Sequence, residues 1–150
     1  MTDQAKKSRV DAIAGNCIAA RLRQVNRAIT AVYDRALRPL GLKVSQLNIL
    51  VCTAKLGLAR RAQVCGYLML ESSTLSRNIE RMRRRGWIEV MPGPDARTAP
   101  FRLTPSGQRL LDRAFPVWEK AQREAMELLG GDAIECIALA AKKLRPPAGA

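Results

Sequence analysis

Residues 71–104, ESSTLSRNIERMRRRGWIEVMPGPDARTAPFRLT, constrain the fold more than any other stretch of this chain. Leu75, Ile79 and Met82 recur at i, i+4 and i+7, the spacing of one apolar helix face. The opposite face carries Ser73, Thr74, Arg77, Asn78 and Arg81. Glu71 or Ser72 can cap the start of this helix, and Gly86 stops it. Residues 87–91 alternate as a strand does, PGPDART is a turn-forming loop, and residues 101–103 form the return strand. A core-packed helix followed by an arginine-bearing hairpin has the order of a recognition helix and a wing.

The polar face fits that order chemically. In a major groove an arginine can bind guanine O6 and N7, an asparagine can bind adenine N6 and N7, and a threonine methyl can touch thymine. Arg83, Arg84 and Arg85 follow where such a helix would leave the groove and meet phosphates. Arginines at a helix C-terminus also complement the helix dipole, so the run alone does not decide between a DNA contact and a solvated helix end.

Charge supports a polyanion as partner. The 150 residues include 26 Lys and Arg against 13 Asp and Glu, a net charge of +13. Residues 58–102 hold nine arginines, no lysine and four acids. Arginine suits bidentate contact with phosphate and guanine, which favours nucleic acid over an anionic membrane. The chain has no histidine, which excludes a Ser-His-Asp triad and histidine acid–base chemistry. Cys17, Cys52, Cys65 and Cys136 form no CxxC pair, so neither a zinc site nor another metal or cofactor is expected. No carboxylate pair or glycine-rich phosphate loop stands out, and an enzyme is not expected. No apolar run approaches the ~20 residues of a membrane span, and the N-terminus lacks a secretory h-region. A cytoplasmic protein with free cysteines is the expectation.

Hydropathy patterning sets out the remaining elements. Residues 1–9 read as a frayed polar tail. A long helix is expected over 10–37, with Ile18, Leu22, Val25, Ile29, Val32 and Ala36 on one stripe. Pro39 and Gly41 end it. Ser45 is the expected N-cap of the next helix, which would bury Leu47, Leu50, Val51 and Ala54 before Gly57 closes it. A short supporting helix, made marginal by Gly66, covers 60–68. Thr104 and Pro105 open a second long helix, expected to kink at Pro116 and to end near Leu129. After Gly130 and Gly131, Asp132 caps a last helix, and RPPAGA reads as a disordered tail. The fold class is mainly α with a small β-hairpin wing: one domain, a winged helix-turn-helix over 45–104, flanked by helical segments 10–38 and 105–145. Those flanking stripes are more apolar than so small a centre needs. They are expected to pair two copies, as two-fold readers of palindromic duplex DNA do. The alternative is that they pack on each other within one chain.

Three stretches carry a family resemblance: LRPLGLKVSQLNIL, STLSRNIERMRRRGWIE and PDARTAPFRLTPSGQRLL. The most specific pattern is Asp95-Ala96-Arg97 followed by Leu103-Thr104-Pro105-Ser106-Gly107. Over about residues 12–145 the chain resembles the MarR family of winged helix-turn-helix regulators. The resemblance implies that Arg97 enters the minor groove and that Asp95 orients it, which agrees with the negative potential of a narrow groove and with carboxylate–guanidinium pairing. Together with the helix, this gives Ser73, Thr74, Arg77, Asn78, Arg81, Arg84, Asp95 and Arg97 as the DNA-binding set. The resemblance further implies a homodimer built from the terminal helices and a repressor released by a small aromatic or phenolic anion. That effector would bind between dimer helices and winged region, with Arg21, Tyr33 and Leu47 as pocket residues.

A thiol-sensing branch of the family implies a different trigger, oxidation of Cys17, whose thiolate nearby Arg21 could favour. Cys17 sits further from the Pro-Leu-Gly-Leu turn than that branch's cysteine. Tyr33 matches the first of its two tyrosines, whereas Val44 replaces the second. Cys52, Cys65 and Cys136 read as packing residues on apolar helix positions. A non-specific architectural DNA binder is the remaining alternative. It would have no need of Ser73, Thr74 and Asn78 on the exposed face, since phosphate binding alone uses cations.

Overall fold

The computed structural model describes residues 3–93, 95 and 98–144, with side chains from Lys6 onward. Helix α1 spans Asp3–Asn16 and α2 spans Ile18–Leu37. The expected polar tail over 1–9 is therefore helical from Asp3, and the single helix over 10–37 is broken at Cys17. Cys17 is extended (φ −68°, ψ 106°). Side chains close the break: Asn16 Nδ2 donates back to Ala12 O at 3.0 Å, and the Arg21 guanidinium takes the open carbonyl of Gly15. That is how a helix end is satisfied without a glycine cap.

A 3₁₀ turn, Arg38–Leu40, follows α2 and ends at Gly41 (φ +65°), as Pro39 and Gly41 foretold. Helix α3, Val44–Leu56, starts two residues earlier than a Ser45 cap would have it, with Lys43 at the cap. Asp34 Oδ1 accepts from Val44 N at 2.8 Å, and Gln46 Oε1 accepts from Lys43 N at 3.1 Å. A carboxylate reaching across from α2 thus replaces the local hydroxyl. The buried set of α3 also differs from the expected stripe. Gln46, Leu47, Ile49, Leu50, Cys52 and Thr53 are buried, whereas Val51 is 50% exposed and Ala54 faces solvent. The helix lies amid several neighbours at once, so its buried surface is broader than, and rotated from, a single stripe.

Helix α4 is Arg61–Leu68, and Met69 (φ 52°) turns the chain into α5, Ser72–Arg84. Strands β1, Ile88–Val90, and β2, Phe101–Leu103, pair antiparallel with Glu89 opposite Arg102. Ala59 joins them as a third, one-residue rung: Ala59 N donates to Phe101 O at 2.8 Å and Phe101 N to Ala59 O at 2.9 Å. Helix α6 spans Pro105–Leu129 and contains Pro116; α7 spans Gly131–Leu144, with Asp132 inside its first turn rather than at its cap. The expected RPPAGA tail lies outside the described residues.

The core gathers Leu37, Leu50, Val64, Leu75, Met82 and Phe101, drawn from the helices and the hairpin alike. Helix α6 packs along α2, where Tyr33 OH donates to Gln122 Oε1 and Arg35 pairs with Glu124. The early part of α2 is bare: Ile18, Leu22 and Val25 are 70%, 61% and 39% exposed. Cys136 is exposed as well, a correction to its reading as a packing residue: among the described residues α7 packs chiefly on α6, and Cys136 faces away from that contact into solvent. Among the described residues no helix is long and apolar enough to cross a membrane.

Candidate nucleic-acid interface

Burial of Leu75, Ile79 and Met82, each at most 2% exposed, fixes the rotation of α5 about its axis. Ser73, Arg77 and Arg81 consequently point to solvent, with Thr74 and Asn78 half-buried beside them. Asn78 Nδ2 donates to Thr74 O at 3.0 Å, a bond to its own helix that it must leave to read a base edge. These five residues share one outward surface, as the sequence predicted.

The arginine run divides between partners. Glu80 binds Arg83 through Nε and Nη2, both at 3.0 Å, and Arg84 through Nε at 2.9 Å. These hydrogen bonds hold the Glu80 carboxyl at about 2, well below its ordinary value. Such a depressed group supports the folded helix above the ordinary carboxylate range and loses that support as pH falls toward 2. Arg84, expected at phosphate, thus rests on an acid in the DNA-free protein. Glu80 was absent from the expected set, although its i, i+3 and i, i+4 spacing to Arg83 and Arg84 is a legible signal. Glu80→Gln should free both guanidinium groups. Random-DNA affinity should then rise and its salt dependence steepen, which a salt titration on nonspecific duplex checks.

In the wing, Arg102 Nε donates to Glu89 Oε1 at 2.6 Å across the strands. Asp95 Oδ1 accepts from Thr98 N at 2.8 Å and Asp95 O from Ala99 N at 3.0 Å. This is an aspartate shaping its own turn. Arg97, the expected minor-groove residue, lies outside the described residues. At Gly93 the two arms approach so closely that a Cβ would meet Ala99 Cα at 2.8 Å.

The pattern Leu-Thr-x-x-Gly has a purely architectural explanation. Thr104 Oγ1 accepts from Gly107 N at 3.0 Å and donates to Gly86 O, while Thr104 N donates to Trp87 O at 3.1 Å. Gly107 then lies against the Trp87 carbonyl, where a Cβ would sit 2.0 Å from the oxygen. One cap therefore locks together the end of α5, the start of β1 and the start of α6.

Within one chain Arg21 stands apart from Tyr33 and Leu47, which belong to one packed cluster. Arg21 closes the end of α1, and Tyr33 lies about 18 Å further along α2 at 1.5 Å per residue. Tyr33 is held by Gln122, and burial pushes its hydroxyl pKa up. Leu47 is part of the core. A separate open groove of about 480 Å³ is lined by Ala31, Asp34, Arg35, Arg38, Gly41, Leu42 and Lys43. Cys17 is half-buried at the junction of α1 and α2.

Comparison with known proteins places this geometry. Residues 42–107 match the winged helix DNA-binding domain model. The chain is 33% identical to the M. tuberculosis transcriptional regulator MOSR, solved in complex with DNA, with a TM-score of 0.70; the match covers 87% of this chain and 100% of that one. It superposes on a mutant of E. coli MarR complexed with operator DNA with a TM-score of 0.76 at 20% identity, covering 90% and 98% of the two chains. The HTH-type transcriptional regulator YwoH of Bacillus subtilis is 29% identical over 91 residues, 59% of this chain and just under two thirds (66%) of that protein. From its winged helix domain, its fold and its relatives, the chain belongs to the MarR family of DNA-binding transcriptional regulators.

Proposed function

We propose that this protein is a cytoplasmic, sequence-specific regulator that binds a palindromic operator as a homodimer and represses transcription until a small aromatic or phenolic anion releases it. The observation that carries the DNA reading is the outward row of Ser73, Arg77 and Arg81, with Thr74 and Asn78, on a helix anchored by three fully buried residues. Arg84 and the wing residues Asp95 and Arg97 complete the proposed contact set. Arg97→Ala should weaken operator binding at least tenfold without changing the oligomeric mass, which gel shift and light scattering check together; the family resemblance assigns this residue to the minor groove, and one such contact is of the order of 1.4 kcal/mol or more. Unchanged affinity would remove the wing arginine from the reading.

Support for the dimer comes from apolar surface left open at both ends of the chain. Val10, Ile13, Ile18 and Leu22 on α1 and α2, and Leu128, Ile137, Leu139 and Leu144 on α6 and α7, are 44–70% exposed. So many large apolar side chains left open at both ends of one chain point to an interaction surface. Leu22→Lys should shift the protein toward its 16.5 kDa monomer mass in light scattering and lower operator affinity with it. A dimer that survives unchanged would put its contacts elsewhere.

Two places suit the effector: the pocket that the family resemblance gives to Arg21, Tyr33 and Leu47, or the basic groove at Arg35, Arg38 and Lys43. A second reading, oxidation control, is favoured by the half-buried thiol of Cys17 at the break between α1 and α2. Peroxide would convert the thiolate to a sulfenic acid with release of water or hydroxide, and a thiol reductant would restore it. The experiment is a gel shift on operator DNA with peroxide, then reductant. Reversible loss of the shift, absent in Cys17→Ser, supports the thiol switch; indifference to peroxide leaves the small-molecule effector.

A further inference from the structure

The third arginine of the run, Arg85, has different partners from Arg83 and Arg84. Its Nη1 donates to Gly41 O at 2.6 Å, 44 positions away in sequence, and its guanidinium lies 5.0 Å from the centre of the Trp87 ring. Both contacts are anchored. Trp87 is 8% exposed, and its backbone N–H donates to Met82 O at 3.0 Å. Gly41 ends the 3₁₀ turn that hands the chain from α2 to α3, in a left-handed conformation. Its missing side chain leaves the room Arg85 uses, because a Cβ there would stand 2.7 Å from Nη1.

We propose that Arg85 is a positioning residue that sets the separation of the two recognition helices in the dimer, and is not a phosphate contact. This assignment rests on the dimeric operator-binding reading above. Helix α2 carries much of the surface proposed to join the copies, and Arg85 ties the far end of α5 directly to the turn that terminates α2. The buried residues Leu75, Ile79 and Met82 hold α5 in its own winged unit, while the Arg85 strut fixes that unit against the dimer scaffold. Half-sites on duplex DNA must lie about one helical turn, ~34 Å, or a multiple apart. A one-base-pair change moves them by about 3.4 Å and rotates them, so a stiff scaffold discriminates spacings and a loosened one does not. For Arg85 to grip a phosphate it would have to abandon both Gly41 and the Trp87 ring.

The test uses an operator selected by the wild-type protein from a random duplex pool, and versions with the centre lengthened or shortened by one base pair. Affinities are measured across a salt series for wild type, Arg85→Ala and Gly41→Asn. Asparagine tolerates the left-handed backbone of residue 41, so that variant displaces the guanidinium while keeping its charge. Wild type should lose about tenfold or more on respaced operators, and both variants should lose about threefold or less, differences of order 1 kcal/mol in coupling. The slope of log affinity against log salt should be the same for Arg85→Ala as for wild type. A slope reduced by about one with full spacing discrimination would make Arg85 a phosphate contact and overturn the assignment. So would either variant keeping wild-type discrimination. Thermal melting of each variant separates a spacing effect from failure to fold. A pool yielding no operator for the wild-type protein would overturn the operator-binding reading itself, and this assignment with it.

Discussion

Gly107→Ala is expected to lower the melting temperature by about 6–12 °C and to weaken operator binding together with it. The added methyl would stand 2.0 Å from Trp87 O and 3.0 Å from Trp87 C. Both are backbone atoms, so no side-chain rotation relieves the clash. The start of α6 must move away from the strand that follows α5. That movement also breaks the bond from Gly107 N to Thr104 Oγ1 and strains the contacts of Thr104 with Gly86 and Trp87. Overpacking of this kind costs about 1–3 kcal/mol and a lost N-cap about 1 kcal/mol, so about 3 kcal/mol is reasonable. At about 2–4 °C per kcal/mol for a chain of this size, the quoted shift follows. Gly66→Ala is the matched control. It lies inside α4 with nothing within 4 Å of its Cβ position, and should stabilise by about 0.5–1 kcal/mol. If calorimetry shows the two variants alike, the packing at Gly107 is not what holds hairpin and helix together.

The second large effect concerns base reading. Asn78→Ala and Arg77→Ala should each cost about 1–3 kcal/mol on the operator and relax specificity at one or two base positions. Neither should change stability much. Arg77 is exposed, and Asn78 gives up a single helix-backbone bond to Thr74. A quantitative binding assay on operators mutated one position at a time distinguishes the two roles. Loss at particular positions identifies base contacts. An equal loss on random DNA would instead assign these residues to phosphates.

What the sequence made legible was local. The β2 strand, the Thr104 cap with Pro105 behind it, the end of α5 before Gly86 and the core stripe of Leu75, Ile79 and Met82 all depend on neighbours within a turn or two. What it concealed depends on distant partners. Asp34 caps α3 from the preceding helix, which no Ser45 argument could anticipate. Ala59 joins the hairpin by a single rung, too short to leave an alternating pattern. The break at Cys17 had a local mark in Gly15 and Asn16, but the apolar stripe that runs on from Ile18 masked it. The division of Arg83, Arg84 and Arg85 mixes the two cases: the Glu80 pairs follow from spacing, but the Arg85 bond to Gly41 does not. The outward row on α5 followed from the periodicity of its buried stripe, whereas the pocket residues Arg21, Tyr33 and Leu47 came from resemblance, and the chain sets Arg21 apart from the other two.

Sequence-specific reading of duplex DNA shows itself in a ratio of affinities. The affinity of the purified protein for an operator selected from random duplex should be compared with its affinity for scrambled DNA of equal length and salt. Sequence-specific reading predicts a ratio of about 10³ or more. A ratio near one, with strong salt dependence on both DNAs, would mean that the +13 charge binds phosphate alone, and would contradict it.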